Sequence, residues 1–236
     1  MEVLFITENR YPWCKQAKEY LDTVFGEKNV TVRTSVQKYS APPDDLIDGA
    51  KDLLISALNP WIIPKRVLDA HELAINFHPG PPAYPGTAGY NFAIYDGVKE
   101  YGATCHIMDE FVDAGPILRT TMFPVYGCDT PRSLQQRTHT YMLAMFYEVV
   151  TEVSHHVASA VYSGYDMRLQ CSSEKWARKA YTRHDFESLC RITPDMGDEE
   201  IARRIRATSY PDRPGAFVEM GKHIFEHTDK DRTKFE

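Results

Sequence analysis

Short apolar runs alternate with amphipathic segments through most of the chain. Short runs bounded by turn-forming residues predict buried strands, whereas apolar positions three and four residues apart predict helices. Pro12 suits the first turn of one such helix, and Gly26 suits its end. The predicted strands are residues 3–6, 30–36, 52–58, 73–78, 103–108 and 117–125, and the predicted helices are residues 12–25, 64–70, 87–95 and 130 to beyond 149.

This alternation favours an α/β fold, a Rossmann-like, mostly parallel twisted sheet with helices on both faces. Sheets of this kind bind their ligands at the carboxyl ends of the strands. The turn at residues 7–11 contains no glycine, so the dinucleotide fingerprint is absent and NAD chemistry is disfavoured. One face of the last long helix is interpreted as core and carries Leu134, Thr138, Tyr141, Met145 and Val149.

The composition becomes more polar after Gly164. We therefore predict a main domain at residues 1–165 and a small C-terminal appendage at residues 166–236, built from helices and a β-hairpin. Arg203, Arg204 and Arg206 are interpreted as the solvated face of a helix. The predicted elements of the appendage are helices at 175–190 and 198–207, a turn at 210–215 and hairpin strands at 216–220 and 223–225.

Composition narrows the class of protein. The chain has 236 residues, of which 43% are hydrophobic, and a formal net charge of −6. The acidity disfavours a nucleic-acid partner. No run approaches the roughly 20 apolar residues of a membrane helix, and the N-terminus lacks a signal peptide's basic region, which predicts a cytoplasmic protein without membrane attachment. Five cysteines without a C-x-x-C pair disfavour a disulfide framework or a zinc ribbon.

The stretch at residues 76–86 is the first candidate site. Asn76 and His78 are two residues apart in a predicted strand, so their side chains point to the same face. Four prolines and two glycines follow before residue 87 and predict a stiff loop with a fixed backbone path. A polar pair at a strand end, beside a rigid loop, is typical of a binding or catalytic site.

The second candidate stretch is residues 102–117. Thr104, His106 and Met108 share one face of a predicted strand, and Asp113 lies in the loop that follows. The Asp113 carboxylate could meet His78 if the two strands are neighbours. A zinc site made of His78, His106 and a carboxylate is disfavoured, because no closely spaced pair of ligands supports it.

Together these stretches read N-x-H-P-G…P-G and G-x-T-x-H-x-M-x-x-x-x-D-x-G-P-I, and they resemble the folate-dependent formyltransferases over roughly residues 1–150. The resemblance implies Asn76, His78 and Asp113 as catalytic residues, 10-formyltetrahydrofolate as formyl donor, and no metal. As an amine attacks the formyl carbon, Asn76 and His78 would donate hydrogen bonds to the oxyanion. Asp113 would orient His78, favour its protonated form and, through a water, help to take the amine's proton.

The resemblance also implies a pterin pocket between two segments of the main domain. Ordinary core packing is the alternative for the first of these segments. The implied cofactor-binding residues are Trp61, Ile62 and Ile63 before the catalytic strand and Met108, Asp109 and Val112 in the loop that carries Asp113.

Within the family the chain is most similar to the sugar N-formyltransferases, through the Pro-rich loop HPGPPAYPG and residues 90–95 and 181–187. The implied acceptor is a dTDP- or GDP-linked 3- or 4-amino-6-deoxysugar, formylated for surface polysaccharide such as lipopolysaccharide O-antigen. A homodimer through the C-terminal part is also implied. The candidate contacts are Tyr84 and Asn91 for the sugar and Asn9, Arg10 and Trp13 for the nucleotide, with loop or packing roles as the alternative.

Other readings stay open. Methionyl-tRNA formyltransferases are longer and carry a basic C-terminal domain, and glycinamide ribonucleotide formyltransferases carry a glycine-rich loop that residues 7–12 lack. A glycinamide ribonucleotide or another amine nevertheless remains an alternative acceptor. Two further alternatives are a formyltetrahydrofolate hydrolase, in which water replaces the amine, and a catalytically idle module that binds folate or nucleotide sugar.

Overall fold

The computed structural model describes residues 1–8, 10–35, 42, 46, 52–163, 169–211 and 213–228, with residues 156–163 described by their backbone alone. The helices are α1 (Pro12–Phe25), α2 (Lys65–Leu68), α3 (Gly89–Asp96), α4 (Pro131–Ser163), α5 (Arg183–Cys190) and α6 (Asp198–Thr208). The strands are β1 (Val3–Thr7), β2 (Val30–Thr34), β3 (Leu53–Ala57), β4 (Leu73–His78), β5 (Glu100–Ile107), β6 (Ile117–Pro124), β7 (Phe217–Met220) and β8 (His223–Glu226).

The main sheet has the order β2-β1-β3-β4-β5-β6. Strands β2, β1, β3 and β4 pair in parallel, whereas β5 is antiparallel to both β4 and β6. The mostly parallel α/β fold predicted from the sequence is therefore confirmed. Every residue of β1 and β3 is buried, as expected of strands that are covered on both faces.

Alternate residues of the strands enter two different cores. Val3 and Phe5 pack in the cluster that contains α1 and α4, and Leu4 and Ile6 pack in the cluster that contains α2. The interpretation of α4 as a core helix is confirmed for Leu134, Thr138, Met145 and Val149. Tyr141 is a correction, because it is 39% exposed and stacks on Phe123 at the rim of the sheet.

The helix predicted at residues 175–190 is wrong over its first half, because α5 begins only at Arg183. Thr182 and Asp185 form a reciprocal capping box there, and this box satisfies backbone donors at the helix start. The preceding residues bond outward instead: the N–H of Ala177 donates to the Pro82 carbonyl, and that of Tyr181 to the Pro85 carbonyl. The Pro-rich loop thus draws away the donors that a helix would need.

The C-terminal helix α6 is bound to the rest of the chain by its basic residues. Arg204 donates to the carbonyls of Ser188, Leu189 and Arg191, and Arg206 donates to the carbonyl of Gly127. The interpretation of this cluster as a solvated face is therefore corrected: Arg204 binds the C-terminal end of α5, and Arg206 binds the loop at Gly127.

The predicted hairpin is confirmed as the antiparallel pair β7–β8. Among the described residues, no helix is both long and apolar enough to cross a bilayer. The domain boundary near residue 165 stays a prediction, and residues 164–168 lie outside the described part of the chain.

Candidate active site

The candidate residues meet at the carboxyl end of β4. Strand β5 pairs with β4 so that Asn76 lies opposite His106 and His78 lies opposite Thr104. Because β4 and β5 are neighbouring strands, Asp113, in the loop after β5, can reach His78. The two sequence motifs are therefore one site in space.

A carboxylate flanked by two imidazoles forms the centre. Oδ2 of Asp113 lies 3.0 Å from Nδ1 of His78, and Oδ1 lies 3.2 Å from Nε2 of His106. The second ring nitrogen of His78, Nε2, lies 2.9 Å from the carbonyl oxygen of Tyr84. All three side chains of the His78–Asp113–His106 centre are buried. Both ring nitrogens of His78 thus face acceptors.

The backbone holds Asp113 in an unusual conformation. Its φ is +46°, in the left-handed region that aspartate and asparagine tolerate better than most residues. The N–H of Gly86, at the end of the Pro-rich loop, donates to Oδ2 of Asp113 at 2.7 Å. The carboxylate therefore connects the loop after β4 with the loop after β5.

Opposing effects set the protonation of this pair. Burial would lower the pKa of His78, but the charge of Asp113 and the hydrogen bonds that His78 donates to Asp113 and to the Tyr84 carbonyl outweigh burial and raise the pKa above 6.5. Burial would raise the pKa of Asp113, but the charge of His78 and hydrogen bonds from His106 and His78 hold it well below its usual range. The site therefore favours imidazolium beside carboxylate.

Asn76 is the most accessible of the three candidate catalytic residues and is only partly buried. Its Nδ2 lies 3.1 Å from Nε2 of His106. Nδ1 of His106 lies 2.9 Å from the carbonyl oxygen of Ile107, which can only accept, so Nδ1 carries a hydrogen. Nε2 of His106 therefore lies between the Asn76 amide, a donor, and the Asp113 carboxylate, an acceptor, and bonds to one of them at a time.

The Pro-rich loop is anchored to the sheet by buried side chains of β5. The hydroxyl of Tyr101 donates to the Pro79 carbonyl at 3.1 Å, and that of Thr104 donates to the Gly80 carbonyl at 2.8 Å. A Cβ at Gly80 would stand 2.6 Å from Nε2 of His78. The loop therefore packs directly on the histidine, and glycine is required for this close approach.

The two segments implied in cofactor binding come together beside this centre. Trp61 and Met108 pack against the same core cluster, which includes Ile63. Ile62, Phe111 and Val112 instead expose 68%, 66% and 46% of their surface. Asp109 is also exposed. The segments thus leave apolar side chains in solvent, and Phe111, which lies inside the predicted segment 108–112, is one of the most exposed of them.

The residues predicted to contact the sugar hold structural positions. Tyr84 is 6% exposed, and its hydroxyl donates to Asp96 at 2.7 Å. Nδ2 of Asn91 donates to the carbonyl of Ala207 at 2.7 Å, which ties α3 to α6. These bonds favour the packing alternative for both residues, and their contact with a sugar stays a prediction.

The residues predicted to hold the nucleotide are dispersed. Trp13 is buried, with its ring edge-on to Phe146 at 5.3 Å between centroids. Arg10 is exposed and pairs with Glu8. Asn9 lies outside the described residues. Packing accounts for Trp13, whereas Arg10 retains a position at the carboxyl edge of β1.

Trp176 is the residue of this site for which the sequence analysis gave no role. Its Nε1–H donates to the Gly115 carbonyl at 2.8 Å. Its ring stands edge-on to His106 and His78, with centroids 5.1 and 5.8 Å away. One feature of the sequence could have located Trp176 outside a helix. The Thr182-x-x-Asp185 pattern is typical of a capping box, and it predicts that the helix begins after Trp176, in which case Trp176 lies in a connecting segment.

The fold and the paired loops define the class. A family model described as formyl transferase matches residues 14–150, which is more than half of the chain, and the chain belongs to this family.

The chain is similar to three further proteins with formyltransferase names. The chain is 33% identical to a phosphoribosylglycinamide formyltransferase of Mycobacterium tuberculosis over 47% of its own length and 52% of that protein. It is 28% identical to a GDP-perosamine N-formyltransferase of Brucella melitensis over 74% of its length and 63% of that protein. A sugar N-formyltransferase structure from a Shewanella species shares the fold, with a TM-score of 0.70, 21% identity and 96% coverage of both chains. The chain thus spans between half and two thirds of these curated relatives.

Proposed function

We propose that this protein transfers the formyl group of 10-formyltetrahydrofolate to an amine, and that the amine belongs to a nucleotide-linked amino-deoxysugar. The observation that carries the proposal is the buried ion pair of His78 and Asp113 beside the partly exposed amide of Asn76. Acyl transfer requires hydrogen-bond donors where an oxyanion develops, and this arrangement supplies an amide and a charged imidazole at one strand end.

The reaction forms a bond between the amine nitrogen and the formyl carbon and breaks the bond from that carbon to the folate nitrogen. The amine loses one proton, and the folate nitrogen gains one. Asn76 donates to the oxyanion through its amide. His78 donates through Nε2 once this atom exchanges the Tyr84 carbonyl, 2.9 Å away, for the substrate oxygen.

Asp113 acts mainly as a fixed negative charge in this scheme. Its carboxylate accepts hydrogen bonds from Gly86 and His78 and lies 3.2 Å from Nε2 of His106, and its pKa is held well below its usual range. A carboxylate with a depressed pKa is a weak base. The contacts therefore support the orientation and charging of His78 more strongly than proton abstraction through a water.

The formyl donor fits the two segments beside the centre. Ile62 on one segment and Phe111 and Val112 on the other present apolar surface to solvent, and Met108 beside them is partly buried. A flat pterin ring suits such surface, and backbone groups of residues 61–63 and 108–112 would bind its polar edge. The bound folate supplies the formyl carbon, and no metal is required for this chemistry.

The sugar acceptor is supported by the extent of the similarity. The similarity to the GDP-perosamine enzyme extends over 74% of the chain, and that to the phosphoribosylglycinamide enzyme over 47%. The proposed acceptors are therefore dTDP- or GDP-linked 3- or 4-amino-6-deoxyhexoses destined for surface polysaccharide. We also propose that the protein acts in the cytoplasm as a homodimer. Arg10 would lie near the nucleotide.

Turnover with a panel of such nucleotide sugars, read by product mass, tests the proposal. Phosphoribosylglycinamide and a reaction without amine serve as the comparison arms. A formyl mass gained by one nucleotide sugar supports the assignment. Formylation of phosphoribosylglycinamide alone, formate release without amine, or folate binding without turnover would replace it with one of the three alternatives.

A further inference from the structure

A connecting segment before α5 crosses the candidate active site, and we call residues 171–182 the strap. At one end, the N–H of Ser172 donates to the Ile117 carbonyl at 2.7 Å, just beyond the loop that carries Asp113. At the other end, the N–H groups of Ala177 and Tyr181 donate to the Pro-rich loop at 3.0 and 2.8 Å. The strap therefore joins the Pro-rich loop that follows His78 to the start of β6, just after the loop that carries Asp113.

Trp176 lies in the middle of the strap, over the buried histidines. Its ring is nearly perpendicular to that of His106, at 89°, and inclined by 73° to that of His78. Its N–H is occupied by Gly115, two residues after Asp113. The indole is thus held in place by the loop of the carboxylate that it covers.

An uncharged ring at this place strengthens the ion pair that it touches. The attraction between the Asp113 carboxylate and the His78 imidazolium increases as water is excluded. The titratable groups around His78 are Asp113 from its loop and His106 and Tyr101 from β5. Trp176 adds no charge to this group, and its ring packs against both imidazole rings.

We propose that Trp176 is a positioning residue of the transferase: it shields the His78–Asp113–His106 centre from water and fixes the Asp113 loop through Gly115. The effect of Trp176 on catalysis rests on the proposed function, whereas its shielding of the centre can be measured in the protein without substrate. The strap of the C-terminal part is accordingly a component of the site formed by the main domain.

The primary test needs no substrate. A protonated imidazole quenches the emission of an indole in contact with it, so wild-type fluorescence should rise in a step as His78 loses its proton, with a midpoint above pH 6.5. Trp176→Phe should abolish the step, and Lys175→Ala, an exposed neighbour, should retain it. Absence of the step from the wild-type protein, or its survival in Trp176→Phe, would overturn the inference.

A second measurement follows the His78 ring by NMR. In Trp176→Leu, which keeps an apolar side chain, admitted water should shift the pKa of His78, because water weakens both the burial that lowers it and the attraction of Asp113 that raises it. Lys175→Ala should leave this pKa unchanged. An unchanged midpoint in folded Trp176→Leu would also refute the inference.

Activity separates this inference from the function on which it rests. Trp176→Leu should lower kcat about tenfold with little change in KM, and Trp176→Phe should recover most of the loss. If titration follows the expectation but no amine is formylated, the proposed function fails and the positioning of His78 by Trp176 stands. If formylation occurs and Trp176→Leu matches the wild type in kcat, the positioning role fails alone.

Discussion

The two sides of the catalytic centre differ sharply. On the covered side, the polar atoms of His78 and Asp113 have partners, and a proline-rich loop and Trp176 enclose them. On the open side, Ile62 and Phe111 leave most of their surface in solvent. The covered side holds a charge in a fixed place, and the open side has apolar surface without a partner. We propose that the covered side controls the protonation of His78 and that the open side admits the substrate.

Asp113→Asn should have the largest effect, because it removes the charge of the covered side. Asparagine accepts the left-handed backbone of position 113, where φ is +46°, so the loop should keep its path. Turnover should fall by about 10² or more, since the imidazolium loses its counter-charge. Steady-state kinetics on protein with an unaltered circular dichroism spectrum measures the loss.

Glu72→Gln provides the control, since it removes an exposed carboxylate that lies just before β4 and outside the proposed site. Turnover of Asp113→Asn within threefold of that control would refute the electrostatic role.

Gly86→Ala should have the next largest effect, because it separates the strap from the loop. Gly86 has φ of +87°, and a Cβ there would stand 2.3 Å from the Tyr181 carbonyl oxygen. Strain at positive φ costs about 1 kcal/mol or more, and the clash adds to this. Urea unfolding should show a larger loss of stability than in the control variant Gly97→Ala, and kcat should also fall.

Gly97→Ala isolates the strain from the clash. Gly97 also has positive φ, +67°, but a Cβ there would meet no atom within 4 Å. It should lose about 1 kcal/mol and keep its kcat. Equal losses of kcat in the two variants would show that the contact between strap and loop is unimportant for turnover.

Phe111→Ala tests the open side and should change binding rather than chemistry. The ring is 66% exposed, so stability should hardly change, while KM for the folate rises several-fold at nearly constant kcat. Phe225→Ala on the hairpin is the matched control, since that ring is 57% exposed and remote in sequence from the site. Equal KM values for the two variants would remove Phe111 from the donor site.

The pH dependence of stability should show the smallest effect. The folded pKa of His78 is raised, so its stabilisation is fully present below the unfolded value of about 6.5 and is lost as pH rises through the folded pKa. Between about pH 6 and pH 9, the free energy of unfolding should therefore fall more in the wild type than in His78→Asn. A parallel fall in both proteins would contradict the assigned direction.

Local patterns predicted the sheet, the long helix and the first loop, because each depends on residues close in sequence. The apolar run ending at His78 became β4 with the predicted bounds, and the hairpin at Gly221 also formed. The second motif identified Asp113, but only the antiparallel pairing of β5 with β4 places it at His78. Pairing between strands is set by the whole sheet, and a single sequence does not encode it locally.

Trp176 shows why the rest of the site was not predicted from the sequence. The residues around it suit a helix by composition, yet their backbone donors bond to proline carbonyls about ninety residues earlier in the chain. Tyr84 and Asn91 show the opposite error, since polar side chains in a candidate loop are occupied by Asp96 and by the α6 backbone. In both cases hydrogen bonds of the folded protein decide the role of the residue, and local sequence patterns do not contain them.

The most direct test of the account measures the balance of the reaction. Wild-type protein is incubated with 10-formyltetrahydrofolate and the nucleotide-linked amino sugar that performs best in the panel, and tetrahydrofolate, formylated sugar and formate are quantified together. The account predicts that tetrahydrofolate and formylated sugar form in equal amounts, and that neither forms when the sugar is withheld. Tetrahydrofolate that accumulates with formate, at a rate independent of the sugar, would contradict it.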